Sequence, residues 1–134
     1  MRYLLDTNTC ISVMRNHPAV VARMATVSPE DCAISTITSY ELYTGVEKCS
    51  DPGREAAKVT TLLMTVHALP FDVAAAREGA RIRAELESQG CSIGPYDLLL
   101  AGQAIAAGLT IVTANTSEFN RVRDLKIEDF TAKR

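Results

Sequence analysis

Residues 2–8 read RYLLDTN, and how this stretch is read decides the fold. Tyr3, Leu4 and Leu5 form an unbroken apolar run, the pattern of a buried strand starting almost at the first residue. Asp6 ends the run. Thr7 and Asn8 follow, with no glycine or proline to mark an ordinary turn. Asp6 therefore has two candidate roles: the cap of a following helix, or a carboxylate held at the rim of a sheet for chemistry.

A strand of this kind needs partners, and the chain supplies them. CAIST (32–36), HALPF (67–71), LTIVTA (109–114) and LKIEDF (125–130) read as four more strands, the last at an edge. Helical patterns lie between them at 8–15, 18–27, 38–48 and 52–65, with Pro18, Pro29 and Pro52 as punctuation. Asp72 precedes an alanine-rich helix that stops at Gly90, and another runs from Pro95 to Gly108. Strands alternating with helices predict right-handed crossovers and an α/β fold: a short, mostly parallel sheet of 4–5 strands, covered by helices on both faces. The 134 residues fit one domain spanning 1–134, with no linker or composition shift to divide it.

Composition narrows the function. A net charge of −2 gives no electrostatic footprint of a passive nucleic-acid binder, though a bound divalent cation would invert the local field. The four cysteines, Cys10, Cys32, Cys49 and Cys91, have no zinc-site or redox-pair spacing and are expected as unpaired thiols. The longest apolar stretch, LLLAGQAIAAGLTIV (98–112), holds Gln103 and two glycines and falls short of the roughly 20 residues a membrane span needs. The apolar start is too short for a signal peptide, so a cytoplasmic protein is expected.

In parallel sheets, sites form beyond the carboxyl ends of the strands. Asp6 follows the first strand. Glu41 lies in the first turns of the helix after the second, where Thr38-x-x-Glu41 also fits a capping box. Asp97 lies in the first turn of the helix opened by Gly94 and Pro95, favourable for the helix dipole, yet at the mouth of a helix apolar nearly all round. The fourth strand runs into ANTSEFNRV, offering Asn115 and Glu118. Each acid has an ordinary explanation; their coincidence on one rim does not. Grouped carboxylates repel one another unless a cation sits among them, and an all-oxygen set suits Mg²⁺ or Mn²⁺. The chemistry that follows is metal-assisted phosphodiester hydrolysis. His17 and His67 are poorly placed to serve as a base.

LLDTN, TSYELYTGVEK, IGPYDLLLAGQA and IVTANTSEFNRV, in this order and over nearly the whole chain, resemble the PIN-domain ribonucleases. Within that family the resemblance is to the VapC toxins of toxin–antitoxin modules. It implies a three-layer α/β/α fold, a Mg²⁺- or Mn²⁺-dependent endoribonuclease and a VapB-type antitoxin that blocks the site. Carried onto this chain, Asp6, Glu41 and Asp97 are the catalytic, metal-holding acids, with Thr7, Asn8 and Thr113 in support. Many PIN domains carry Asp where this chain has Asn115; Glu118 is then the alternative fourth catalytic acid, directly or through water. The GPYD segment and the short C-terminal tail resemble relatives that cut initiator tRNA in its anticodon stem-loop. Homodimers are usual in the family, and residues 59–66 offer an apolar face for one. Arg77, Arg81 and Arg83 are candidate cations for guiding RNA.

Other classes fit less well. A phospho-accepting receiver needs paired acids after the first strand and Lys-Pro after the last, whereas Lys126 is followed by Ile127. A D-x-D phosphatase fails at Asn8. A catalytically silent relative that only binds a partner is the remaining alternative.

Overall fold

The computed structural model describes residues 1–132; the last two positions of the C-terminal tail lie outside the described residues. Five strands run in chain order: β1 (Tyr3–Leu5), β2 (Cys32–Ser35), β3 (His67–Leu69), β4 (Thr110–Val112) and β5 (Ile127–Glu128). They form one sheet in the order β3-β2-β1-β4-β5, and every pairing is parallel. Among the described residues seven α-helices accompany them: α1 (Thr7–Met14), α2 (Pro18–Met24), α3 (Thr36–Lys48), α4 (Pro52–Thr65), α5 (Val73–Ser88), α6 (Pro95–Ala107) and α7 (Thr116–Phe119).

The alternation of strand side chains builds the layers. Leu4, Ala33 and Ile111 point to one face, where they pack with Ile82, Leu86, Leu100 and Phe119 of α5–α7. Tyr3, Leu5, Ile34 and Val112 point to the other, against Cys10, Val20, Leu42, Val59 and Leu62 of α1–α4. Both faces of β1 are dry, which is why RYLL shows no polar alternation. The chain winds outward from β1 to β3 under α1–α4, then returns to β4 beneath α5 and α6. Right-handed crossovers in opposite directions place the two helix layers on opposite faces. The sheet is the expected α/β sandwich, with both edge strands shorter than their sequence patterns suggest.

Two contacts fix α6, the helix that carries Asp97. Gly102 meets α5 so closely that a Cβ there would fall 2.4 Å from the Gly79 backbone nitrogen. Gln103 Nε2 donates to the carbonyls of Leu69 and Pro70, both at 3.1 Å, tying the helix to the exit of β3. Because α6 ends at Gly108 just before β4 begins, its foot is at the amino edge of the sheet. Thirteen residues span about 20 Å, so its start reaches the carboxyl rim.

Several local expectations change. Helix α3 begins at Thr36, two residues before the expected start, because Ser35 is its cap and accepts from Ile37 N at 3.0 Å. Thr38 is thus a buried interior residue, and the Thr38–Glu41 capping box does not form. The loop after β4 contains α7, too short for a helical period to show. In the stretch expected to offer a dimer face, Val59, Leu62 and Val66 are core residues, and only Met64 among its large apolar side chains is exposed. Cys10 and Cys32 are buried, Cys49 and Cys91 half-buried, and all four are free thiols. No helix among the described residues is long and apolar enough to cross a membrane.

Candidate active site

The chain reverses direction across the sheet at β1, whose neighbours are β2 and β4. Beyond the carboxyl ends of these strands lies a pocket of about 210 Å³, lined by Asp6, Thr7, Asn8, Glu41, Gly94, Pro95, Tyr96 and Asp97. Three acids from three separate elements share it: Asp6 after β1, Glu41 in the second turn of α3 and Asp97 in the first turn of α6.

Asp6 is only 3% exposed. Its Oδ1 accepts from Thr9 N at 2.8 Å, so Asp6 itself caps α1, the first of its two candidate roles. The two readings of Asp6 are compatible, because a carboxylate has two oxygens. Oδ1 serves the helix, and Oδ2 accepts no hydrogen bond from the described residues. Its own backbone N–H donates to Val112 O at 3.0 Å, anchoring the site to β4.

Glu41 is held in the same one-sided way. Thr7 Oγ1 donates to Glu41 Oε1 at 2.7 Å and lies 3.1 Å from Thr38 Oγ1. A hydroxyl has one proton, and Thr7 spends its own on Glu41; Thr38 is therefore the donor to Thr7. A third acid repeats the pattern: Glu118 Oε2 accepts from Asn115 Nδ2 on the α7 turn. Asp6, Glu41 and Glu118 are each steadied through one oxygen, with the other unclaimed among the described residues.

Asp97 has no such anchor, and it carries the strain of the site. Burial pushes its carboxyl up, and the negative charges of Asp6, Glu118 and Glu41 push it further, from 3.8 to about 6. The other three acids thus act on Asp97, with Glu118 outside the pocket lining but close enough to be felt there. The acids are neighbours by charge rather than by contact. Among the described residues, no three His, Cys, Asp or Glu side chains are gathered into a metal cluster. The donor chemistry nevertheless suits a hard divalent ion: four carboxylates, one-sided anchoring and a raised Asp97, with no sulfur or imidazole.

The remaining expected residues lie as follows. Asn8 lines the pocket but bonds to none of the acids. Thr113, fully buried, accepts from Asn115 N at 2.9 Å and so shapes the α7 turn rather than an acid. Arg81 is paired with Glu78 and Glu85, and Arg83 with Glu87. Neither they nor Arg77 line the acid pocket. The sequence reading missed Thr9 and gave Thr38 only a capping role. Thr9 follows from the cap rule once Asp6 is the cap, whereas nothing local marks Thr38 as a partner of Thr7.

Comparison with known proteins identifies the family. The PIN domain family matches residues 3–125. The tRNA(fMet)-specific endonuclease VapC of Shigella flexneri is 40% identical over 98% of this chain and 99% of its own length. The crystal structure of DNA-bound VapBC from Salmonella typhimurium superposes with a TM-score of 0.92 at 39% identity, covering 97% of this chain and 98% of that one. VapBC2 from Rickettsia felis, bound to a promoter DNA fragment, gives 0.90 at 33% identity, with coverages of 96% and 98%. With a shared fold, near-complete coverage and three acids lining one pocket where its chain reverses across the sheet, the protein belongs to the PIN domain family, within its VapC group.

Proposed function

We propose that this chain is a Mg²⁺- or Mn²⁺-dependent endoribonuclease, the toxin of a toxin–antitoxin pair, that cleaves tRNA and so stops translation. The observation that carries the reading is the one-sided anchoring of Asp6, Glu41 and Glu118 around a destabilised Asp97. Side chains positioned through one oxygen and open at the other are preorganised ligands, and such outer partners hold a metal site's geometry. Asp6, Glu41 and Asp97 would hold the ion, with Glu118 as the fourth acid. When bound, the ion supplies positive charge to the phosphoryl oxygens and lowers the pKa of the attacking water. The chain's part is to fix the acids: Thr9 N–H holds Asp6, the Thr38–Thr7 relay holds Glu41, and Asn115 holds Glu118.

The substrate reading follows the relatives named for initiator tRNA, with the anticodon stem-loop as the target. The VapBC complexes among the structural relatives support a VapB-type antitoxin as partner, and a tRNA-cleaving toxin acts in the cytoplasm. The test is cleavage of purified initiator tRNA by antitoxin-free protein with Mn²⁺ or Mg²⁺, against Asp6→Asn and Asp97→Asn. Cleavage by wild type alone is expected. Equal cleavage by the variants would remove the site assignment, and a wild type inert with both metals would favour a silent binding module.

A further inference from the structure

Tyr96 lines the acid pocket, and Tyr40 packs against it. Tyr40 and Tyr96 are 51% and 41% exposed in a chain with seven aromatic residues and no tryptophan. Exposed aromatic rings need no explanation singly, but these two are fixed together. Their centroids lie 5.7 Å apart at an interplanar angle of 73°, an edge-to-face pair. Tyr96 OH donates to Tyr40 OH at 3.3 Å, joining α6 to α3 across 56 residues. Each ring also belongs to the residue just before a site acid, Glu41 or Asp97, and Tyr96 is part of the pocket lining.

The charge around them says what kind of contact is needed. A polyanion approaching this pocket meets carboxylates, and no lysine or arginine lines it. The α5 arginines offer no compensation there, being paired on their own helix or away from the lining. Stacking on an aromatic ring is indifferent to that charge, because every nucleobase has a π-face.

We propose that Tyr40 and Tyr96 form a stacking platform that holds one unpaired nucleobase of the RNA substrate beside the phosphate to be cut. They are positioning residues, and the proposal rests on the ribonuclease reading of the pocket. Its occupant is a base in single-stranded or looped RNA, since a base inside a duplex presents no free face.

The test compares Tyr96→Ala, Tyr40→Ala and the matching Phe variants of the full chain on an anticodon stem-loop RNA. Cleavage is followed with Mn²⁺, and binding in EDTA by fluorescence anisotropy of the labelled RNA. Each Ala variant is expected to raise KM and weaken metal-free binding by about tenfold, with kcat within about threefold. The Phe variants, which keep the ring and lose the hydroxyl, stay within about twofold. A series of stem-loops carrying one abasic nucleotide near the cut contains a position that costs wild type the same tenfold and costs Tyr96→Ala nothing more.

Wild-type KM and binding in the Ala variants would overturn the platform. So would a loss confined to kcat, or an abasic penalty equal in wild type and variant. A changed molar mass by light scattering in the Ala variants would also overturn it, assigning the pair to an interface between copies. Failure of the ribonuclease reading looks different: wild type would cleave nothing with either metal, while the EDTA binding arm would still read the stacking. Absence of metal-free RNA binding by wild type would end the proposal.

Discussion

The starts of α1 and α6 hold two carboxylates of one pocket in opposite ways. At α1, Asp6 is nearly inaccessible, yet it caps the helix and takes a backbone N–H through Oδ1. At α6, the capping position is Gly94, which has no side chain to offer, and Asp97 in the first turn receives no anchoring hydrogen bond from the described residues. The first acid contributes to folding; the second is crowded by three like charges and raised to about 6. A helix start can therefore either satisfy an acid or merely display it. This pocket holds one of each kind.

The largest expected effect erases the difference between them. Asp6→Asn and Asp97→Asn should each lower tRNA cleavage at least about 100-fold, beyond the usual cost of losing an outer partner of a metal site. A variant that cleaves normally would show its acid to be structural only. Next in size is stabilisation by the ion. Thermal denaturation of wild type with Mn²⁺ at 100 times its dissociation constant should show a gain of about 2.7 kcal/mol, and both Asn variants should lose most of it. Retention by either variant would separate that residue from the ligand set.

Thr7→Val tests the anchoring idea one step away from the acids. It removes the donor to Glu41 and strands the Thr38 hydroxyl, so cleavage should fall about tenfold while the three ligands remain. An unchanged rate would mean that Glu41 needs no steadying.

The smallest effects have opposite signs, and they sharpen the comparison most. Asp6→Ala should lose about 1 kcal/mol of stability in chemical denaturation, whereas Asp6→Asn, an equally good cap, should lose only a few tenths. Asp97→Asn in metal-free buffer at pH 7 should instead gain stability. Folding raises the Asp97 carboxyl from 3.8 to about 6, so the folded state favours the proton. Metal-free stability from this group is full below about pH 4 and is lost as pH rises through 6. Solvent screening at a half-buried carboxyl keeps the expected gain to about 1 kcal/mol. The gain should vanish near pH 4, and a gain independent of pH would assign it to something other than charge.

Much of this molecule was legible in the chain because the signals are local. The apolar triplet before Asp6, the Pro95 and Gly108 that bound α6, and the proline that opens α4 each carry their meaning within a few residues. The misreadings share one cause. Thr38 looked like a cap because it stands three before a glutamate, but Ser35 is where β2 actually ends, and strand ends are set by pairing partners elsewhere in the chain. Residues 59–66 offered an apolar face that is largely core, because nothing local reveals that α3 and α1 pack against α4.

The sequence by itself determined the alternation of strands and helices, the burial of β1 and the presence of acids just past strand ends, since each is a matter of short-range period and punctuation. Only the tertiary structure decided which oxygen of each acid is occupied. The partners that choose it, Thr7 with Glu41 across 34 residues and the neighbours that crowd Asp97, are brought together by the sheet. The same holds for Tyr40 and Tyr96, two unremarkable residues in the chain that become one platform where α3 and α6 meet at the rim.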